Sequence, residues 1–170
     1  MAKVAAMRER IHAIHPGCVV EMVDDFVTPE NWPAVLPDAP DAVIDACDQM
    51  SAKWAMARWA LQLRVPFVTV GAAGGKRLAH AVEVADLSDV THDPLLARLR
   101  YRLRRAVDAG ARKPNGRIGL TCVFSREAVA RPQDDAACAV AVDASLNCHG
   151  YGSLVTVTAT FGLCAANTVL

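Results

Sequence analysis

The chain has 170 residues, 53% of them hydrophobic and 21% charged, with a mean hydropathy of +0.21. A chain of this size buries roughly two thirds of its unfolded surface as one domain, and this composition excludes a disordered or low-complexity protein. Eighteen basic and eighteen acidic residues cancel, so net charge gives no case for a nucleic-acid binder, and six cysteines without a Cys-x-x-Cys pair exclude a disulfide scaffold and argue against a zinc ribbon.

The first ten residues hold no apolar signal core, which reads as a reduced, cytoplasmic protein. Val4, Met7, Ile11 and Ile14 recur at helical spacing with Lys3, Arg8, Glu9 and Arg10 between them. No Ser, Thr, Asp or Asn precedes this helix as a cap, so upstream sequence is expected to be missing. His15-Pro16-Gly17 makes a turn, and 18–23 reads as a strand. Residues 41–46 form a second strand, 49–64 a helix, and 65–70 a third strand that ends on the Gly71–Gly75 run. Short apolar strands separated by a long helix imply a parallel sheet with right-handed crossovers. Asp24, Asp25, Asp45, Asp48 and the glycine run all follow strand carboxyl ends, where open parallel sheets bind their ligands. Each of these aspartates, taken alone, reads first as a helix cap or loop carboxylate, and it is three strand ends in a row carrying Asp or Gly that point to a site.

From Asp93-Pro94 a helix is expected to run to about Val107. Residues 98–117 hold eight of the eighteen basic side chains against one acid, Asp108, whereas residues 1–50 hold nine acids and three bases. Zero net charge therefore conceals a dipolar chain. Solvated helix faces normally mix signs, and arginines without carboxylate partners point to a polyanion. Arg98, Arg102 and Arg105 share one face and are candidates to follow RNA phosphates. With 5% aromatics no stacking platform is evident, so backbone contact is expected to dominate. After the turn Asn115-Gly116, residues 117–124 read as a strand, followed by an irregular segment carrying Cys138 and Cys148. Residues 145–170 hold no acid, Lys or Arg, yet threonines, glycines and the lack of a basic flank make a buried helix from about Leu154 a better reading than a membrane span. That helix stops on Leu170 without a cap, so this end too is expected to be cut.

Residues 3–31, above all Val23-Asp-Asp-Phe-Val-Thr-Pro-Glu-Asn31, together with Val43-Ile-Asp-Ala-Cys-Asp48 and Lys53, resemble the ubiquitin-activating-like adenylating enzymes of the ThiF, MoeB and HesA kind. Thr69–Gly75, Ala85–Leu95, Cys122–Ser125 and Thr158–Gly162 narrow the resemblance to the branch that dehydrates threonylcarbamoyladenosine in bacterial tRNA. The resemblance implies a Rossmann-like α/β fold, a mostly parallel sheet with flanking helices, lacking the N-terminal βαβ part and carrying a C-terminal strand and helix extension. Residues 1–92 would be the Rossmann-like remainder and 93–170 the basic helix and extension, in one truncated domain. The family's Gly-x-Gly-Gly-x-Gly loop, ribose-binding acid and Asn-Arg-Gln stretch have no counterpart here, and the Gly71–Gly75 run follows the wrong strand to replace the loop.

By the same resemblance the intact protein uses ATP and Mg²⁺ to activate a carboxylate as an acyl-adenylate that an internal atom then attacks, on tRNA and as a homodimer. Lys3 matches the lysine that reaches the ATP phosphates, and Asp48 the aspartate that helps hold Mg²⁺. Asp45 falls on the cofactor side of the motif and is also expected to brace its strand end. Cys148, beside Gly150-Tyr151-Gly152, matches the dehydratase loop cysteine, and Cys138 lies in the same segment. Each is a candidate nucleophile, and an inert thiol is the competing reading, since adenylation needs no covalent enzyme intermediate. Two other functions stay open. One is a sulfur-carrier adenylyltransferase, whose small Gly-Gly-ended partner has no need of an arginine helix. The other is a non-catalytic remnant that dimerises or binds RNA.

Overall fold

The computed structural model describes residues 1–36, 38–106, 116–130 and 152–170. Cys138 and Cys148 lie outside them, so their expected role is carried no further by the structure. In chain order the elements are α1 (Lys3–Ile14), β1 (Val43–Asp45), α2 (Met50–Leu63), β2 (Phe67–Val70), a short 3-10 turn at Ala79–Ala81, β3 (Val82–Asp86), α3 (Pro94–Ala106), β4 (Thr121–Ser125) and α4 (Val155–Val169).

Four strands form one sheet in the order β1-β2-β4-β3. β1, β2 and β4 are parallel, with Asp45 opposite Thr69 and Val70 opposite Val123, while β3 runs antiparallel along β4. The sheet is thus mostly parallel, as expected. β4, from beyond residue 93, lies in the sheet interior, so the two expected parts share one sheet.

The pleat sorts the core into two layers, because successive side chains on a strand point to opposite faces. Phe67, Cys122 and Phe124 meet α2 and α3 through Ala57, Leu96, Leu99 and Leu103. Val68, Val70 and Val123 meet α4 through Val157, Phe161 and Ala165. All four β2 residues are buried for this reason, Thr69 through its hydrogen bonds to Lys53 and Asp45. α4 buries Val157, Phe161 and Ala165, four residues apart along one face, while Val155 and Leu163 stay exposed. Among the described residues no helix is long and apolar enough to cross a membrane.

Two expectations fail. Residues 18–23 do not pair as a strand: they run as an extended, largely exposed segment, with Val19 86% exposed. Their apolar run, broken only by Glu21, fits a strand, but β1, the edge nearest in sequence, pairs only with β2 among the described residues. The second is β3, a strand that the pattern of 82–86 did not announce. Only Asp86 is buried and Val84 is exposed, since among the described residues β3 has one neighbour, β4. α1 forms where expected yet buries none of its residues, so its apolar stripe stays uncovered.

Candidate functional site

The carboxyl ends of β1 and β2 are built around a buried charge cluster. Lys53 of α2 and Asp45 of β1 are 0% exposed at their side chains and form an ion pair of 2.7 Å. The Lys53 ammonium also donates to Thr69 Oγ1 at 2.9 Å and to the Val70 carbonyl at 3.0 Å, and Thr69 Oγ1 donates to Asp45 Oδ2 at 2.7 Å. Asp45 Oδ1 accepts the Cys47 N–H at 3.1 Å and its thiol at 2.9 Å. Both carboxylate oxygens are therefore used inside the fold. Through these bonds Asp45 ties its strand end to Lys53 and to the turn into α2. Burial, and then the Asp45 charge, push the Cys47 thiol up to about 12, which leaves it protonated and unreactive at neutral pH. Burial likewise pushes up the Cys122 thiol, inside the core.

Asp48 lies exposed just beyond this cluster, ahead of the first turn of α2. Lys3 lies exposed at the first position of α1. Among the described residues no group of three or more His, Cys, Asp or Glu could cage a metal. A single exposed carboxylate at a strand end fits a hard divalent cation whose remaining ligands are phosphate oxygens and water. The donor set is therefore compatible with Mg²⁺ delivered with a nucleotide, with Asp48 as the protein ligand, and with nothing more enclosed than that.

A second cluster closes the ends of β2 and β4. Lys76, 1% exposed, donates to the carbonyls of Ser125 and Glu127 at 2.9 Å each and of His92 at 3.2 Å. Burial lowers its pKa, against the pull of Asp93 and Glu127. Asp93 caps α3 by accepting the Leu96 N–H at 2.9 Å, and its other oxygen accepts the Ala72 N–H at 2.9 Å. A Cβ at Gly71 would overlap Asp93 Oδ2, so the first glycine of the run lets a carboxylate close onto the backbone. The glycine run serves packing here, in agreement with its wrong position for a phosphate loop. Asp24 and Asp25, further candidates from their place after a strand-like run, lie exposed on the extended segment.

α3 faces both ways. Leu96, Leu99 and Leu103 enter the core, and Arg100 turns inward to donate to the carbonyls of Val90 at 2.6 Å and Leu87 at 3.2 Å. The opposite face carries Arg98, Arg102 and Arg105, all exposed. With α2 they line an open groove of about 980 Å³, and among the described residues no acidic side chain lines it. The same groove holds two aromatic rings, Tyr101 and Trp54, so the expectation of no stacking platform does not hold. Low overall aromatic content hid their placement. The signal was present in the spacing of Arg98, Tyr101, Arg102 and Arg105, which share one helical face.

The whole chain, residues 1–170, matches the family model described as the ThiF family. The chain belongs to the ThiF family. It is 40% identical over 177 residues to the tRNA threonylcarbamoyladenosine dehydratase of Escherichia coli, covering 100% of this chain and 65% of that protein. The Haemophilus influenzae protein of the same name is 34% identical, covering 99% and 64%. The fold is similar to the E. coli dehydratase crystallised in complex with ATP, with a TM-score of 0.82 and 37% identity over 99% of this chain and 63% of that one. A structure of that enzyme in complex with AMP gives the same TM-score of 0.82. The chain thus spans slightly less than two thirds of each of these ThiF-family relatives.

Proposed function

We propose that this chain carries out, within the protein it belongs to, the ATP-dependent dehydration of threonylcarbamoyladenosine in tRNA. The observation that supports this most is the full-length match of this chain to dehydratases from two bacteria, one of them with solved ATP and AMP complexes. The arginine face of α3 adds to it, since a sulfur-carrier partner gives no reason for a groove lined by Arg98, Arg102 and Arg105. ATP bound at the strand ends supplies the leaving group for loss of water from the threonylcarbamoyl group. Asp48 would hold the Mg²⁺ that accompanies the phosphates, and Lys3 would offset their charge. The buried Lys53–Asp45–Thr69 cluster would keep the approach to Asp48 rigid. Arg98, Arg102 and Arg105 would hold the tRNA backbone, in the cytoplasm and in a homodimer.

A second reading rests on the arginine face of α3 alone: the chain binds RNA without using ATP. One experiment separates them. The purified protein is incubated with Mg-ATP and tRNA bearing threonylcarbamoyladenosine, and the digested nucleosides are weighed by mass spectrometry. A nucleoside lighter by one water, with AMP released, supports the dehydratase. ATP turnover only with a Gly-Gly-ended carrier protein overturns it in favour of the adenylyltransferase. Retained tRNA binding without any ATP turnover overturns it in favour of the RNA-binding remnant.

A further inference from the structure

The groove between α2 and α3 holds more than charge. Tyr101 is 61% exposed, although α3 is seated in the core by Leu96, Leu99 and Leu103 without it. An exposed ring that the fold does not use is available to a ligand. The Arg105 guanidinium lies 5.6 Å over that ring and donates to its hydroxyl at 3.0 Å. Across the groove Trp54, half-buried on α2, has Arg58 5.4 Å over its own ring. Each ring is thus already paired with a guanidinium plane, and the pairs stand on facing helices. Arg98 and Arg102 lie on the same face as Tyr101, and among the described residues neither has a carboxylate partner.

Phosphate binding alone asks for cations, and an acidic peptide asks for no exposed ring. A flat, polarizable group flanked by negative charge asks for both: it stacks on an aromatic or guanidinium plane while its neighbours meet the arginines. An unpaired nucleobase within an RNA strand is that group. From Arg98 to Arg105 the helix advances ~10 Å, enough for more than one phosphate of a strand. The groove also begins at Met50, two residues after Asp48, so a strand lying in it comes to the same end of α2 as the proposed nucleotide site.

We infer that this groove is a stacking site for an unpaired nucleobase of the tRNA, with Tyr101 as its platform and Arg98 and Arg102 on the flanking phosphates. This rests on the tRNA reading above. Arg105 would hold the ring in place and cover one edge of the base, and Trp54 would bound the groove opposite.

The test measures binding of a fluorescently labelled anticodon stem-loop RNA, and of a fully paired RNA duplex, across a salt series. Tyr101→Ala is expected to weaken stem-loop binding about 5-fold to 150-fold, the loss of one base–aromatic stack, with the salt slope unchanged. Tyr101→Phe, which keeps the ring, is expected to bind as the parent does, and duplex binding is expected not to respond to either change. The double variant Arg98→Ala/Arg102→Ala is expected to lower the salt slope by about one unit for each phosphate that is no longer neutralised. Stem-loop binding equal to the parent in Tyr101→Ala, with the arginine variant weakened, overturns the stacking site and leaves the tRNA reading standing. A parent protein that binds neither RNA, or that an acidic polypeptide occupies in preference to RNA, overturns both. Circular dichroism of Tyr101→Ala secures the comparison, since a surface ring leaves the core untouched.

Discussion

Lys53→Met is the substitution that most directly tests how the strand ends are held. The ammonium is wholly enclosed and makes three hydrogen bonds, to Asp45 Oδ2 at 2.7 Å, Thr69 Oγ1 at 2.9 Å and the Val70 carbonyl at 3.0 Å. Methionine fills nearly the same volume, so the cavity contribution is small. What remains is a buried carboxylate without its counter-charge, for which the loss is about 3–5 kcal/mol. With a urea dependence of about 2 kcal/mol per molar, the unfolding midpoint should fall by about 1.5–2.5 M. Adding Asp45→Asn removes the stranded charge while keeping an acceptor for the Cys47 N–H, and should restore most of the midpoint. The coupling between the two changes, read from the double-mutant cycle, should reach at least ~2 kcal/mol. A loss below ~1 kcal/mol for Lys53→Met alone would refute the argument, because it would mean that water reaches Asp45.

Three further outcomes follow from the geometry. Gly71→Ala should force Asp93 from the Ala72 N–H and lower stability by about 1–3 kcal/mol, seen as a reduced thermal midpoint; an unchanged midpoint would show that the carboxylate is not seated there. Asp86 is desolvated, which raises its pKa, but hydrogen bonds from Ser88, Ile118 and Gly119 outweigh this and hold it below its ordinary 3.8. The unfolded chain then takes up this proton first, so the contribution is complete above about 3.8 and lost as pH falls through the folded value. Asp86→Asn should accordingly flatten the acid limb of the stability curve, and an acid limb identical to the parent's would count against these bonds. Cys47, pushed up to about 12, should resist iodoacetamide in the native protein at pH ~8 and react after unfolding, as peptide mapping would show. Rapid native labelling at that position would contradict the buried Asp45–Cys47 contact.

The sequence made the helices and the central strands readable because their patterns are local. Ala52, Met56, Ala57 and Ala60 recur along one face of α2, and Phe67–Val70 holds no charged residue, as a strand covered on both faces requires. β3 was not readable because its register depends on β4, whose partner residues lie 35–43 positions away in the chain. Residues 18–23 misled for the opposite reason: a strand-like pattern forms no strand without a neighbour to accept its hydrogen bonds. At the site, the arginine face of α3 could be seen from spacing alone. The enclosure of Asp45 could not, since it takes Lys53 and Thr69, from two other elements, to hold the carboxylate inside the fold. Nor could the facing of Trp54 and Tyr101, which sit on helices separated in sequence by a strand pair and brought together only by the core.

The placement of β4 also governs the order in which this chain can become structured. β3 hydrogen-bonds to β4, and β2 needs β4 along its second side, so among the described strands only β1 and β2 can pair before β4 is made. Leu96, Leu99 and Leu103 likewise await Leu120, Cys122 and Phe124 as their seat. Synthesis past residue 125 therefore closes the sheet and anchors the arginine helix in one late event. Until then the second side of β2 and the side of β3 that β4 fills are open to pairing with other chains, an aggregation risk that ends when β4 docks.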